Sequence, residues 1–476
     1  MLMKLTKCSQ SGFARQIDRY LNSVWYPVCL GALCAFSGLG DSSRYTVCMG
    51  LIAVTVFLTV LFSKDLKPLF APMLMSFCAL GRDTDETYWE VGGDVMLYYQ
   101  DAPFAFVILL GVIAVGALLY RFWKDGTLKD IWENKGHFFW SVIALDLVFL
   151  SNGIFSTHWV MLDIAYGALM AFGFTFFYLV CASIARRGEN TAQYACWCMV
   201  GTGLLAVVQV AVTLLQGGHL VVEMGVLAND SRSSIELGWG LSTNVTAYMV
   251  LGIPAAFYLA ANHRFAFVSY TLGIFLFGFV VFIGSRSALL AGAVAVLICV
   301  VACCFGKNRS LCRKMAVGLL CLLVVGVAFF HVAILPLPQL VESLLAKLRL
   351  NALMEDGRVT IWKAAWQAFC QWPVFGIGLD VGFVEPMETV NNFFGRMYHN
   401  LPLQFLGAMG IVGLGALVFH LVQFGHLWRK PTTTKVLLLT LPLMILTMSL
   451  VDNFFFYLNQ QIAYCMFLAV AERKNQ

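Results

Sequence analysis

The chain has 476 residues, 60% of them hydrophobic and only 12% charged, with a formal net charge of +5. A soluble globular protein of this size could not cover its surface with so few charges, so the composition excludes that class and predicts an all-α integral membrane protein. The positive excess sits in short loops between apolar segments and gives no reason to expect nucleic acid.

A helix needs about 20 apolar residues to cross a bilayer, and about 12–14 segments approach that length. The N-terminal stretch carries Lys4, Lys7, Arg15 and Arg19 and shows no small-residue cleavage site after a single apolar run, so no removable signal peptide is read. Trp25–Leu39, Tyr45–Phe62 and Lys67–Leu80 come first. An acidic loop, Gly81–Ala102, follows with Asp83, Asp85, Glu86, Glu90, Asp94 and Asp101 against Arg82. Next are Pro103–Tyr120, Phe138–Leu150, Trp159–Val180 and Ala195–Leu215, then Leu241–Ala261, Phe265–Ile283, Ala288–Phe305 and Met315–Leu335. After a long excursion, Pro336–Asn400, the segments Leu401–Leu427, Val436–Val451 and Phe454–Val470 complete the set. With no repeat and no soluble domain, residues 1–476 read as one polytopic unit.

Basic residues alternate along this series. Lys64 and Lys67, Arg121–Lys135, Arg186 and Arg187, Arg264, Lys307–Lys314, Arg429–Lys435, and Arg473 with Lys474 all fall on the side of the N-terminus. By the positive-inside rule that side is the cytoplasm, which places both termini inside and the acidic loop and residues 336–400 outside. The 15 cysteines lie mainly in apolar spans, where a thiol behaves as a small hydrophobe, and they form neither a disulfide framework nor a metal-type CxxC.

A loop as long as 336–400 is usually either disordered or functional. Gln339–Leu350 reads as a helix broken at Asp356-Gly357. From Arg358 onwards Trp362, Ala365, Trp366 and Phe369 recur at helical spacing until Pro373 stops the helix. Gly376-Ile377-Gly378 matches no phosphate-binding fingerprint and reads as a plain turn. An irregular stretch with Glu385, Glu388, Asn391 and Asn392 then leads to His399-Asn400, directly before an apolar glycine-rich helix.

Two residues stand out chemically. His399 is an imidazole at a membrane surface, and imidazole both takes and gives a proton near neutrality. Arg286, in Gly284-Ser285-Arg286-Ser287, is a cation between two apolar helices on the outer side, where its planar fork suits a phosphate. Asp146 and Asp163, one to two turns from the outer face, need partners, and an outer arginine such as Arg232 or Arg286 is the expected one. His331, His420 and His426, in or at the ends of apolar helices without charged neighbours, read as structural.

The run Gly284–Ala291, then Gly357-Arg358 with Trp362, then Trp372-Pro373 with Gly376 and Gly378, then His399-Asn400 with Leu403, Gly407 and Gly410 resembles the core of the O-antigen ligase and polymerase superfamily. Leu237–Gly240 with Asn244 resembles that family's approach to the preceding helix, so the resemblance covers about residues 232–415. It implies a metal-independent membrane glycosyltransferase that needs no cofactor. Its donor would be a glycan on undecaprenyl pyrophosphate and its acceptor a hydroxyl of a glycan, lipid or protein, outside the bacterial cytoplasmic membrane. In the same terms Arg286 binds the donor pyrophosphate, His399 activates the acceptor with Asn400 beside it, and Arg358 is a structural or phosphate-side contact. Arg232 stands for a second pyrophosphate arginine, in a flanking sequence that departs from the family's pattern. Ligase, polymerase and protein-glycosylating activities share these motifs. The rival reading is a transporter or flippase of lipid-linked saccharides, which would be expected to show two related halves; none is visible in the sequence.

Overall fold

The computed structural model describes residues 12–39, 42–81, 102–133, 135–157, 159, 161–217, 220–223, 226–262, 266–305, 358–379, 397–429 and 431–473. The expected span Met315–Leu335, the helix Gln339–Leu350, the Asp356-Gly357 break, most of the acidic loop, and Glu385, Glu388, Asn391 and Asn392 lie outside the described residues.

The described residues are helical apart from two small hairpins and the connections between elements. Its helices are α1 (Gly12–Leu21), α2 (Trp25–Gly38), α3 (Ser42–Phe62), α4 (Phe70–Met75), α5 (Ala102–Lys124), α6 (Thr127–Glu133), α7 (Phe139–Leu150), α8 (Met161–Arg187) and α9 (Thr191–Gln216). They continue as α10 (Asn229–Ser233), α11 (Ser242–Asn262), α12 (Ala266–Ile283), α13 (Arg286–Phe305), α14 (Arg358–Gln371), α15 (Leu401–Leu427), α16 (Thr433–Met448) and α17 (Leu458–Arg473). Among the described residues seven helices, α3, α8, α9, α11, α12, α13 and α15, are long and apolar enough to cross a membrane, and α2, α7 and α16 are shorter apolar helices. This is a multi-pass membrane protein. Its centre is α11, buried continuously from Val245 to Ala260 between α9 and α12.

The expected span Lys67–Leu80 is a broken helix. Pro68 and Pro72 remove backbone donors, and the segment runs as a 3₁₀ turn (Lys67–Leu69), α4 and a second 3₁₀ turn (Ser76–Ala79). Carbonyls freed at its buried end are taken up by side chains: Gln209 Nε2 donates to Cys78 O at 2.7 Å and Ser37 Oγ to Ala79 O at 2.7 Å.

A second break organises the site. At Gly410 (φ 65°) helix α15 interrupts its own ladder, and residues 373–378 run alongside the gap. Ile411 N and Val412 N, which an unbroken helix would spend on the carbonyls of Gly407 and Ala408, donate instead to Pro373 O and Val374 O at 2.8 and 3.2 Å. The two released carbonyls accept from Ile377 N and Gly378 N, both at 3.0 Å. What reads in sequence as a plain turn is therefore a strap that restores four backbone hydrogen bonds. It also ties in the α7–α8 connection, since Gly153 N donates to Phe375 O and Leu379 N to Asn152 Oδ1, both at 2.9 Å.

The ends of the helices sort into two faces. Thr433 Oγ1 donates to Ala302 O at 3.3 Å, joining the start of α16 to the end of α13, so the end of α16 and the start of α13 share the opposite face. That second face carries Arg286, Ser449–Asn453, His399 and the strap. The first carries Arg121, Arg187 and Arg473.

At Gly410 a Cβ would lie 2.4 Å from Val374 O, on a backbone that L side chains rarely adopt. Gly415, in the same helix, has open space around it. Gly410→Ala should therefore lose at least about 1–3 kcal/mol, read as a lowered melting temperature and a smaller monodisperse fraction in detergent, whereas Gly415→Ala should be close to neutral. Equal behaviour of the two would show that the strap does not need the glycine.

Candidate functional site

The residues just before α15 are pinned on both sides of His399. Tyr398 N donates to Gln404 Oε1 at 2.7 Å, and Leu401 N donates to Ser449 O at 2.7 Å. Asn400 is the N-cap of α15, its Oδ1 accepting from Leu403 N at 3.1 Å while its Nδ2 donates to Leu450 O at 2.9 Å. Held between these anchors, His399 adopts φ 49°, a left-handed conformation uncommon outside glycine. Such strain persists only where the surroundings over-determine it.

The payoff of this geometry is the ring. His399 Nδ1 lies 3.0 Å from Asp452 Oδ1, with the histidine side chain 28% and the aspartate 9% exposed. An ionised carboxylate only accepts, so it accepts a hydrogen bond from Nδ1–H, which leaves the Nε2 lone pair as the basic site of the imidazole. Asp452 also accepts from Asn453 N at 2.8 Å. Burial pushes the Asp452 pKa up, but the hydrogen bond and charge of His399, the Asn453 N–H and the nearby Arg358 outweigh it and hold the carboxyl below its ordinary value. The resulting unit is an acid-oriented histidine at the surface of a membrane bundle.

Arg358, first residue of α14, donates from Nη1 to Val451 O at 2.7 Å. It braces the turn that presents Asp452. Arg286 is the first residue of α13, half-buried, after Gly284 (φ 67°) and the fully buried Ser285. A guanidinium there adds to the positive end of a long helix dipole, a combination that favours anions. Arg232, also half-buried, sits in α10, between the β1–β2 hairpin (Val222–Glu223 with Val226–Leu227) and the β3–β4 hairpin (Glu236–Leu237 with Gly240–Leu241). These hairpins cap the His399 face, anchored by Trp239 Nε1 donating to Gln209 Oε1 at 2.9 Å.

Of the two carboxylates expected to meet an outer arginine, Asp146 has another partner. Asp146 accepts a hydrogen bond from the neutral Thr175 hydroxyl inside the α7–α8 contact. Asp163 is fully buried with its carboxylate against the Gly378 backbone, where a Cβ would come within 2.5 Å of Oδ1. His420, expected to be structural, is fully buried, and its ring meets Ser141 Oγ at 3.0 Å and Tyr464 OH at 2.8 Å. Among the described residues no group of three or more His, Cys, Asp or Glu converges as a metal site would require.

Asp452 is the site residue that sequence reading missed. Its signal was present, a lone carboxylate between two apolar segments, but the partner lies 53 positions away.

Bundle, strap and paired histidine together describe a multi-pass membrane protein with a His–Asp pair at one face. Residues 271–418, which include Arg286, Arg358 and His399, match the family model described as O-antigen ligase, and the match supports the O-antigen ligase superfamily. No curated protein matches the chain.

Because the folded pKa of Asp452 is depressed, its contribution to stability is complete above the unfolded value of about 4 and is lost as pH falls through the folded one. Melting temperatures in detergent from pH 7 to pH 3 should fall more steeply for the wild type than for Asp452→Asn in the acidic part of that range. Parallel curves would mean that the carboxylate gains nothing from His399.

Proposed function

We propose that the protein transfers a glycan from undecaprenyl pyrophosphate to an acceptor hydroxyl at the His399 face, and that this face is the outer side of the bacterial cytoplasmic membrane. The observation that carries the reading is the His399–Asp452 contact. His399 Nε2 takes the proton of the acceptor hydroxyl as its oxygen attacks the anomeric carbon. The bond from that carbon to the pyrophosphate breaks, and the charge that develops on the leaving group is met by Arg286 and the start of α13, with Arg232 as a second cation. Asp452 stabilises the imidazolium that forms, and Arg358 and Asn400 keep the turn and the helix start in register. The acceptor is a glycan, lipid or protein hydroxyl; the chemistry is the same for each.

Release of polyprenyl pyrophosphate by the purified chain, supplied with donor and acceptor, tests the assignment. His399→Asn is the variant of choice because asparagine tolerates left-handed backbone. It should lower turnover by about 10²–10⁴-fold while melting close to the wild type. Arg286→Lys should lose most activity although the charge remains, since an ammonium cannot offer a bidentate fork. Near-normal rates in both variants would remove these residues from the chemistry.

Orientation has its own measurement. Cys370, on α14 at the His399 face, is exposed. A membrane-impermeant maleimide should label it in intact spheroplasts, and Cys370→Ser should abolish that signal. Labelling only after the membrane is opened would reverse the assignment of the outer side.

A further inference from the structure

The opposite face of the bundle holds a cavity of about 690 Å³ that plays no part in the reaction proposed above. It lies between α1, the α3–α4 connection, the end of α5 and the end of α8. Its wall is charged with both signs, but most of its acids are occupied by the protein itself. Asp18 Oδ1 accepts from Ser63 Oγ, Asn22 Nδ2 and Lys64 N at 2.7, 3.0 and 3.1 Å. Asp65 is paired with Lys67 Nζ at 3.3 Å and accepts from Lys67 N and Glu189 N at 3.0 and 3.2 Å. Asp125 is paired with Arg121 at 3.2 Å, and Arg121 also donates to the carbonyls of Val60 and Ser63 at the end of α3.

That accounting leaves Arg19 and Lys64 facing the cavity without a salt bridge to a described carboxylate, and Arg187 adds a third positive charge. Against them stand Asp18, whose three donors are neutral, and Glu189, exposed at the rim, so that over the whole lining five cations (Arg19, Lys64, Lys67, Arg121 and Arg187) face four carboxylates. The cavity therefore offers a net positive lining to an anion. Its level is marked by exposed aromatic side chains: Trp25, Trp123 and Trp132 are 70%, 69% and 64% exposed, with Phe13 on α1 at 67%. Tryptophan concentrates where hydrocarbon meets headgroup. A cationic cavity in that layer has phosphate-bearing headgroups as its nearest anions.

We propose that this cavity is a binding site for a phosphate-bearing anion, supplied by an anionic lipid headgroup of the leaflet on that face. The test uses the full-length protein in detergent, with native mass spectrometry reading retention of added phosphatidylglycerol against phosphatidylcholine. Phosphatidylglycerol should be retained preferentially, and Arg19→Gln/Lys64→Gln should weaken it by roughly tenfold or more. Arg15→Gln/Lys129→Gln removes the same charge from exposed positions outside the cavity and should leave retention unchanged. Equal retention by the two double variants overturns the proposal. Lys64→Gln alone, at an exposed side chain, repeats the test should the first double variant fail to fold, and undiminished retention there is equally fatal. Millimolar inorganic phosphate separates the sources: a lipid site resists it, whereas displacement assigns the same phosphate chemistry to a soluble anion.

Discussion

Within a membrane every backbone polar group must find its partner inside the protein, and the break in α15 at Gly410 is where that constraint shapes this molecule. Two donors and two acceptors released by the helix are met by two acceptors and two donors of the 373–378 strap. The exchange requires close backbone approach. At Gly376 a Cβ would lie 2.2 Å from Ala408 C, and at Gly378 it would meet the Asp163 carboxylate. The strap in turn fixes the end of α14 and the α7–α8 connection, so several elements of the His399 face hang on one set of main-chain bonds.

The site built on this frame divides its tasks between helix ends. The turn after α16 supplies Asp452, the start of α15 supplies His399 and its cap, and the start of α13 supplies Arg286. Side chains at helix ends can reach beyond the bundle while their backbones stay ordered within it. The left-handed backbone of His399 is the local cost, borne by the bonds from Tyr398 and Leu401 on either side. Arg358 illustrates a second use of a cation: it spends at least one donor on a main-chain carbonyl and lends its field to Asp452.

The two faces of the bundle differ in how they handle charge. On the Arg121 face, most carboxylates of the cavity are held by nearby backbone and side-chain donors, and cations exceed carboxylates by one. On the His399 face, a carboxylate is spent on orienting an imidazole. This asymmetry follows the distribution of Lys and Arg along the chain and gives each face its own chemistry.

Hydropathy and charge are local properties, so the sequence by itself determined the membrane class, most of the span boundaries and the grouping of basic residues on one face. The motif residues Arg286, Arg358 and His399 were legible for a related reason, since each sits at a junction between an apolar segment and a break. Tertiary structure alone decided what those residues touch. The partner of His399 is 53 residues away, Arg358 reaches a carbonyl 93 residues away, and Asp146 meets Thr175 instead of an arginine. The strap was invisible for the same cause: a glycine pair reads as a turn until the helix whose broken ladder it repairs is packed against it. Pattern in the chain says which groups must be satisfied, and only the packing of distant helices says by whom.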